Sequence, residues 1–191
     1  DTQTRDAQLQ LIAQNAEAGV PGLVPEIYQR IQQQDQQHKL LHLDQAMPTL
    51  KEMSKQQYQR FYDITGTLIV ADQAVDLFEW VVHRVITQEL YAHFVKPFRG
   101  SGRITRASRV HKPVSLVLSL LAAVGSTSDD QRRLAYQRGV AYWGGKPSMT
   151  QLEYFDYQTL NQALDRLRDL NADLRQRFID ACAGVVNADG E

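Results

Sequence analysis

The strongest constraint on this chain is a sequence echo at a fixed offset. Arg60-Phe61 runs ahead of Val70-Ala71-Asp72, and Arg177-Phe178 runs ahead of Asn187-Ala188-Asp189 with the same internal spacing. The two copies lie 117 residues apart, and Met53 with Leu170, Leu68 with Val185 and Ile69 with Val186 keep that offset. Each copy reads as a helix entering an Ala-Asp turn. Only the first goes on into a second helix, since the last residues are Gly190-Glu191. A repeat broken in mid-motif predicts a piece of a longer protein.

At 191 residues the chain can bury one good core and needs no second domain. Eleven Gly and six Pro against abundant Gln favour helix over sheet. A net charge of −1 argues against a general nucleic-acid binder, which is usually clearly basic. One cysteine, Cys182, leaves no internal disulfide and fits a reducing compartment. Its neighbours Ala181 and Ala183 point to a buried helical thiol. The most apolar run, Val114–Val124, is too short to cross a bilayer and contains Ser115 and Ser119, so it reads as a buried helix.

Helical periodicity extends along almost the whole chain. The first helix is expected over about Thr4 to Ala18, ending at Gly19-Val20-Pro21. Pro25 is expected to open a second, with Ile27, Tyr28 and Ile31 buried. Short turns broken at Pro48 should fill Leu40 to Leu50, beyond a polar Gln32 to Gln37 stretch. Ser54-x-x-Gln57 and Asp76-x-x-Glu79 are capping boxes, flanked by the staple pairs Met53/Tyr58 and Val75/Trp80; Ser128 and Gln131 make a third box. Further helices are expected near Pro113 to Val124, Asp129 to Tyr142, Tyr157 to Leu170 and Ala172 to Ala188. The expected fold is all-α: a single helical domain over 1–191, about eight helices on two related helix pairs. The first repeat covers about 50–90 and the second about 167–191, truncated.

Residues 90–128 contain no acidic side chain, yet hold Lys96, Arg99, Arg103, Arg106, Arg109 and Lys112 around Gly100-Ser101-Gly102. Composition predicts a flexible basic linker over 96–112.

No constellation in the sequence is an active site. His38 and His42 have the i, i+4 spacing of a zinc pair, but Lys39 stands where a peptidase needs its general-base Glu, and no third ligand is marked. Asp72, Asp76 and Glu79 cluster around a turn and are the metal candidates; calcium would need more oxygen ligands and a central Gly. Capping accounts for Asp76 and Glu79 without a metal. No Ser-His-Asp order or glycine-flanked elbow is present, and the Gly-Ser-Gly segment lacks P-loop spacing. The aromatics Tyr136, Tyr142, Trp143, Tyr154, Phe155 and Tyr157 read as core and loop packing.

The run Leu43 to Ser54, continued by Gln57-Tyr58-Gln59-Arg60-Phe61, resembles the cytoplasmic C-terminal region of bacterial membrane zinc metallopeptidases. These are relatives of HtpX and the CAAX prenyl proteases, described as Zn-dependent proteases with chaperone function. The likeness continues through Leu68 to Asp72 and Leu77-Phe78-Glu79-Trp80. It resumes at Leu116 to Gly125, Leu160 to Leu167, Phe178, Ala181 to Ala183 and Ala188-Asp189-Gly190. The paired Ala-Asp turns also resemble the TerB-like helical fold. Gln73 replaces the family's turn Gly, which weakens any inherited metal role there, and Asp76 replaces its Ser cap. The resemblance implies a non-catalytic regulatory or partner- or substrate-binding domain, cytoplasmic and tethered to the inner membrane. Zinc, the His-Glu-x-x-His motif and the membrane helices would belong to the upstream protease domain, which is also the nearest partner. No catalytic residue or cofactor is expected within 1–191. Arg99, Arg103, Arg106 and Arg109 would be the contacts to an anionic lipid surface. The alternative is a stand-alone TerB-like module for metal binding or assembly of a stress-response complex.

Overall fold

The computed structural model describes residues 2–71, 77–97, 100–145, 151–152 and 156–189. The chain is all-α, with nine α-helices, two single-turn 3-10 segments and no strand among the described residues. It divides into two compact units, Asp1–Phe98 and Arg99–Glu191, each with buried residues of its own.

The first unit holds α1 (Thr2–Asn15), α2 (Val20–Gln32), α3 (Gln36–Leu50), α4 (Lys55–Ala71) and α5 (Leu77–Phe94). α5 packs on α3 and α4, while α1 packs on α4 and α2. Met47, Tyr58 and Leu90 form its buried centre, with Met53, Phe61 and Phe94 against them. The rings of Tyr58 and Phe94 stack with centroids 4.6 Å apart. The expected capping box closes α4 reciprocally. Ser54 Oγ accepts from Gln57 N at 3.2 Å, and Gln57 Oε1 accepts from Ser54 N at 2.8 Å.

Two expectations fail in this unit. α2 starts at Val20, with Pro21 in its first positions and Pro25 inside the helix, so Pro25 does not open it. Ile27 and Tyr28 are 49% and 45% exposed, and no residue of α2 is buried. The helix packs chiefly on α1, leaving most of its apolar side without a second neighbour. Leu40 to Leu50, expected as broken turns, belongs to the continuous α3. Pro48 falls in its last turn, so the helix is near its end before the lost donor interrupts its hydrogen bonds.

The second unit holds α6 (His111–Gly125), α7 (Asp129–Trp143), α8 (Tyr157–Leu167) and α9 (Ala172–Val186). α6 packs on all three others, and α7 lies along α9. The expected buried helix is borne out, since Val114 to Ser119 and Ala122 of α6 are all buried. Its two serines are satisfied there. Ser115 Oγ and Tyr136 Oη share a hydrogen bond of 2.6 Å, and Leu152 N donates to Ser119 Oγ at 2.9 Å. The cap of α7 departs slightly from the expected box. Ser128 Oγ accepts from Gln131 N, but Gln131 Oε1 reaches back to Thr127 N at 3.2 Å and Thr127 Oγ1 at 2.7 Å.

The flexible basic linker is corrected over residues 100–110. Ile104 forms a parallel bridge with Leu170: Ile104 N donates to Asp169 O, and Asn171 N donates to Ile104 O, both at 3.0 Å. Ser101 N and Oγ donate to Asp169 Oδ1 at 2.9 and 2.7 Å. A Cβ on Gly100 would lie 1.9 Å from Arg168 O, so only glycine permits this approach. Buried Ile104 and Val110 anchor the segment, whatever the charges around them.

Two pairs of helix ends keep the offset of the sequence echo. α4 and α9 begin 117 residues apart, and α3 and α8 end 117 residues apart, at Leu50 and Leu167. Ser54 and Asn171 cap the second helix of each pair, and Asn171 Oδ1 accepts from Leu174 N at 3.1 Å. In the first unit the helix packed on both members is α5, which follows the pair. In the second it is α6, which precedes it.

Candidate functional site

The sequence candidates for chemistry do not converge. His38 and His42 both lie on α3, but the His38 ring is occupied locally. Asp35, the N-cap of α3, accepts from His38 N through Oδ1 at 2.9 Å and meets His38 Nδ1 at the same distance. Those bonds hold the Asp35 carboxyl below the usual carboxylate range. Asp72 and Asp76 lie outside the described residues, and so does the expected capping box of Asp76 with Glu79. Glu79 stands exposed in the first turn of α5. No group of three or more His, Cys, Asp or Glu able to hold a metal occurs among the described residues.

The turn that ends the second repeat is a 3-10 turn, Asn187–Asp189. Arg138 Nη1 donates to the carbonyls of Asn187 and Ala188 at 3.3 and 3.2 Å, so a side chain of α7 takes up backbone oxygens at this end of α9. Cys182 sits partly buried in α9, and burial pushes its thiol up to about 11, away from reactive thiolate chemistry. Burial also lowers the pKa of His83, favouring its neutral ring, and Nε2 has no hydrogen-bond partner among the described residues.

Of the basic candidates, Arg99 lies outside the described residues, while Arg103, Arg106 and Arg109 are exposed. Fastening of the segment gives them fixed bases and free tips. Nearby Asp169 is held below the usual carboxylate range, first by the two Ser101 hydrogen bonds and then by the fields of Arg166 and Arg103. Of the aromatics, Tyr136 and Trp143 are core, Tyr142 is exposed, and Tyr154 and Phe155 lie outside the described residues.

The feature that the sequence reading missed is in the first unit. A cavity of about 270 Å³ opens between α1, α2 and α4, walled by Ile12, Ala16, Val24, Phe61, Ile64 and Leu68. Its mouth carries Glu17, Gln57 and Arg60. Gln57, already the capping residue of α4, donates through Nε2 to Glu17 Oε2 at 3.1 Å. Arg60 Nη1 stands 3.7 Å from Glu17 Oε1, well beyond the length of a charge-assisted hydrogen bond. A more polar trough of about 500 Å³ lies on the other side of α1, where Gln59 is already bonded to Asp63 and Asn15 to Leu11 O.

No family model, curated protein or solved structure matches the chain. Its chemistry has to be argued from its own residues.

Proposed function

We propose that this chain is a non-catalytic, partner-binding helical region of a bacterial membrane zinc metallopeptidase. The protease domain to which it is joined would hold it on the cytoplasmic side of the membrane. The observation that supports this reading is the outer side of α2. Leu23 and Ile27, one turn apart, are 55% and 49% exposed on a helix that buries nothing. Apolar groups gathered on one exposed helix side mark a surface that another surface covers. By tethering, the first partner is the upstream protease domain, and its substrates come second. Zinc and the catalytic carboxylate belong to that domain, and this chain adds a docking face. Arg103, Arg106 and Arg109, with Arg99, would rest beside anionic headgroups, each contributing about 1 kcal/mol near such a surface.

The full-length protein in bacterial lipid vesicles provides the test. Ile27→Cys should crosslink to cysteines placed on the protease domain, and adding Leu23→Ser should abolish the crosslink. A gene whose upstream reading frame encodes no His-Glu-x-x-His motif between apolar helices would remove the parentage and leave a free-standing helical module.

A further inference from the structure

We propose that the cavity between α1, α2 and α4 binds a single-chain amphiphile with an anionic head, of the medium-chain fatty-acid type. This goes beyond partner docking on α2 and does not depend on it.

Size decides the class of occupant. At about 270 Å³ the cavity is smaller than most ligand pockets, which run from about 300 to 1,000 Å³. A helix, about 10–12 Å across with its side chains, cannot enter it. An acyl chain of moderate length can. The six wall residues, Ile12, Ala16, Val24, Phe61, Ile64 and Leu68, offer carbon surface to such a chain. Polar side chains gather at the mouth, where the head of an amphiphile would lie.

Charge decides the head. Glu17 is engaged by the Gln57 amide at 3.1 Å, and Gln57 is itself pinned by Ser54. Among the described residues Arg60 has the loose 3.7 Å approach to Glu17 and no closer partner. Its guanidinium therefore retains donors for a carboxylate at the mouth, where a planar fork suits a planar acceptor. Glu17 beside the same guanidinium opposes the charge of the head, so the preference for an anionic over a neutral head is a modest one.

At matching positions of the sequence echo the two units differ in side-chain size. At the offset of 117, Ile64 corresponds to Ala181 and Thr67 to Gly184. The small residues bring α7 down onto α9, where a Cβ on Gly139 would meet Val185 Cγ2 at 2.4 Å and Ala181 O at 3.0 Å. In the first unit Ile64 lines the cavity between α4 and α1 instead.

Decanoate, kept below its micellar concentration, is the probe, titrated calorimetrically into the purified chain at pH 7.5 alongside decanol. One saturable site for decanoate is expected, at least fivefold tighter than decanol. Arg60→Gln should bring decanoate down to the decanol level and leave decanol unchanged. Ala16→Trp, placed to fill the cavity, should remove both. Methyl NMR shifts on Ile12, Val24, Ile64 and Leu68 localise the ligand and check that each variant is folded. Three results would overturn the proposal: no saturable binding, equal affinity of wild type and Arg60→Gln for decanoate, or shifts confined to Leu23 and Ile27 on the outside of α2.

Discussion

In the second unit, α9 lies against α7 through Ala181 and Gly184; in the first, Ile64 and Thr67 of the counterpart helix α4 line open space beside α1. Two helices cut to one pattern thus have different neighbours at different distances. Among the described residues, buried hydrophobics of the second unit include Val110, Val114, Leu118, Trp143, Leu160 and Leu170, all at 1% exposure or less. The first has Met47, Tyr58, Trp80 and Leu90, and only Leu90 reaches that depth. Close helix contact needs small residues at the crossing. Where the repeat supplies them the unit gains a dense core, and where it does not the unit gains a cavity and an uncovered helix.

The largest effect should come from removing packed carbon in the dense unit. Leu118→Ala takes a fully buried side chain from the centre of α6 and should cost about 2–5 kcal/mol. Ile64→Ala removes a similar volume from a wall that already borders empty space. Its cost should be nearer 1 kcal/mol, because few contacts are lost. Urea unfolding of both variants measures this contrast. Equal losses would show that the first unit is as well packed as the second.

Exchanging the crossing residues sharpens the point. Ala181→Ile puts the first unit's residue where α7 comes closest and should cost about 1–3 kcal/mol through overpacking. Thr67→Gly, the reverse exchange at the other crossing position, gains no α7-like neighbour and should lose only about 0.5 kcal/mol of helix propensity. If Ala181→Ile melts at the wild-type temperature, side-chain size does not set the helix spacing.

Much of the fold was legible because it is written locally. Capping residues, helix periodicity and the echo at 117 place α4, α6, α7 and α9 within a few residues of where they lie. What stayed hidden depends on neighbours that no local pattern names. The apolar side of α2 reads as buried, yet only α1 packs on it extensively, so Ile27 is left facing outward and Tyr28 is covered only in part, by Arg5 of α1. Charge and glycine between Lys96 and Lys112 read as a flexible link, but Ile104 and Val110 are enough to pin 100–110. The cavity was hidden for a similar reason, since it arises where α1, α2 and α4 fail to close. The echo held a usable clue, in Ile64 and Thr67 standing opposite Ala181 and Gly184, but a size difference has no meaning until the helices are known to cross there.

A smaller and symmetric effect is expected at the two caps. Ser54→Ala and Asn171→Ala each remove one side-chain acceptor from the start of α4 or α9 and should each cost about 1 kcal/mol. Ser54→Ala has a second consequence that Asn171→Ala lacks. Losing its side of the reciprocal box loosens Gln57, and with it the contact to Glu17 on α1. Amide exchange in α1 should therefore quicken in Ser54→Ala, while α7 in Asn171→Ala should change little. Equal behaviour of the two variants would break the asymmetry drawn between the units.

The smallest effect separates the turns that join the paired helices. At the offset of 117, Asp169 corresponds to Glu52. Asp169 holds the strap 100–110 through Ser101 N and Oγ, whereas Glu52 is exposed and has no such strap to hold. The Ser101 hydrogen bonds lower the folded-state pKa of Asp169 from its ordinary value of 3.8. The sign follows from that direction: a depressed folded pKa means the ionised carboxylate stabilises the fold. That contribution is fully present above the unfolded value and is lost as pH falls through the folded one. At pH 6, Asp169→Asn should melt slightly below wild type, and Glu52→Gln should melt with it. Melting curves taken from pH 6 down to pH 2 should then show the Asp169→Asn deficit shrinking below pH 4, as the wild-type carboxylate takes up its proton. A deficit that persists unchanged at pH 2 would assign the effect of Asp169 to packing or hydrogen-bond geometry, and not to the charge that holds the strap.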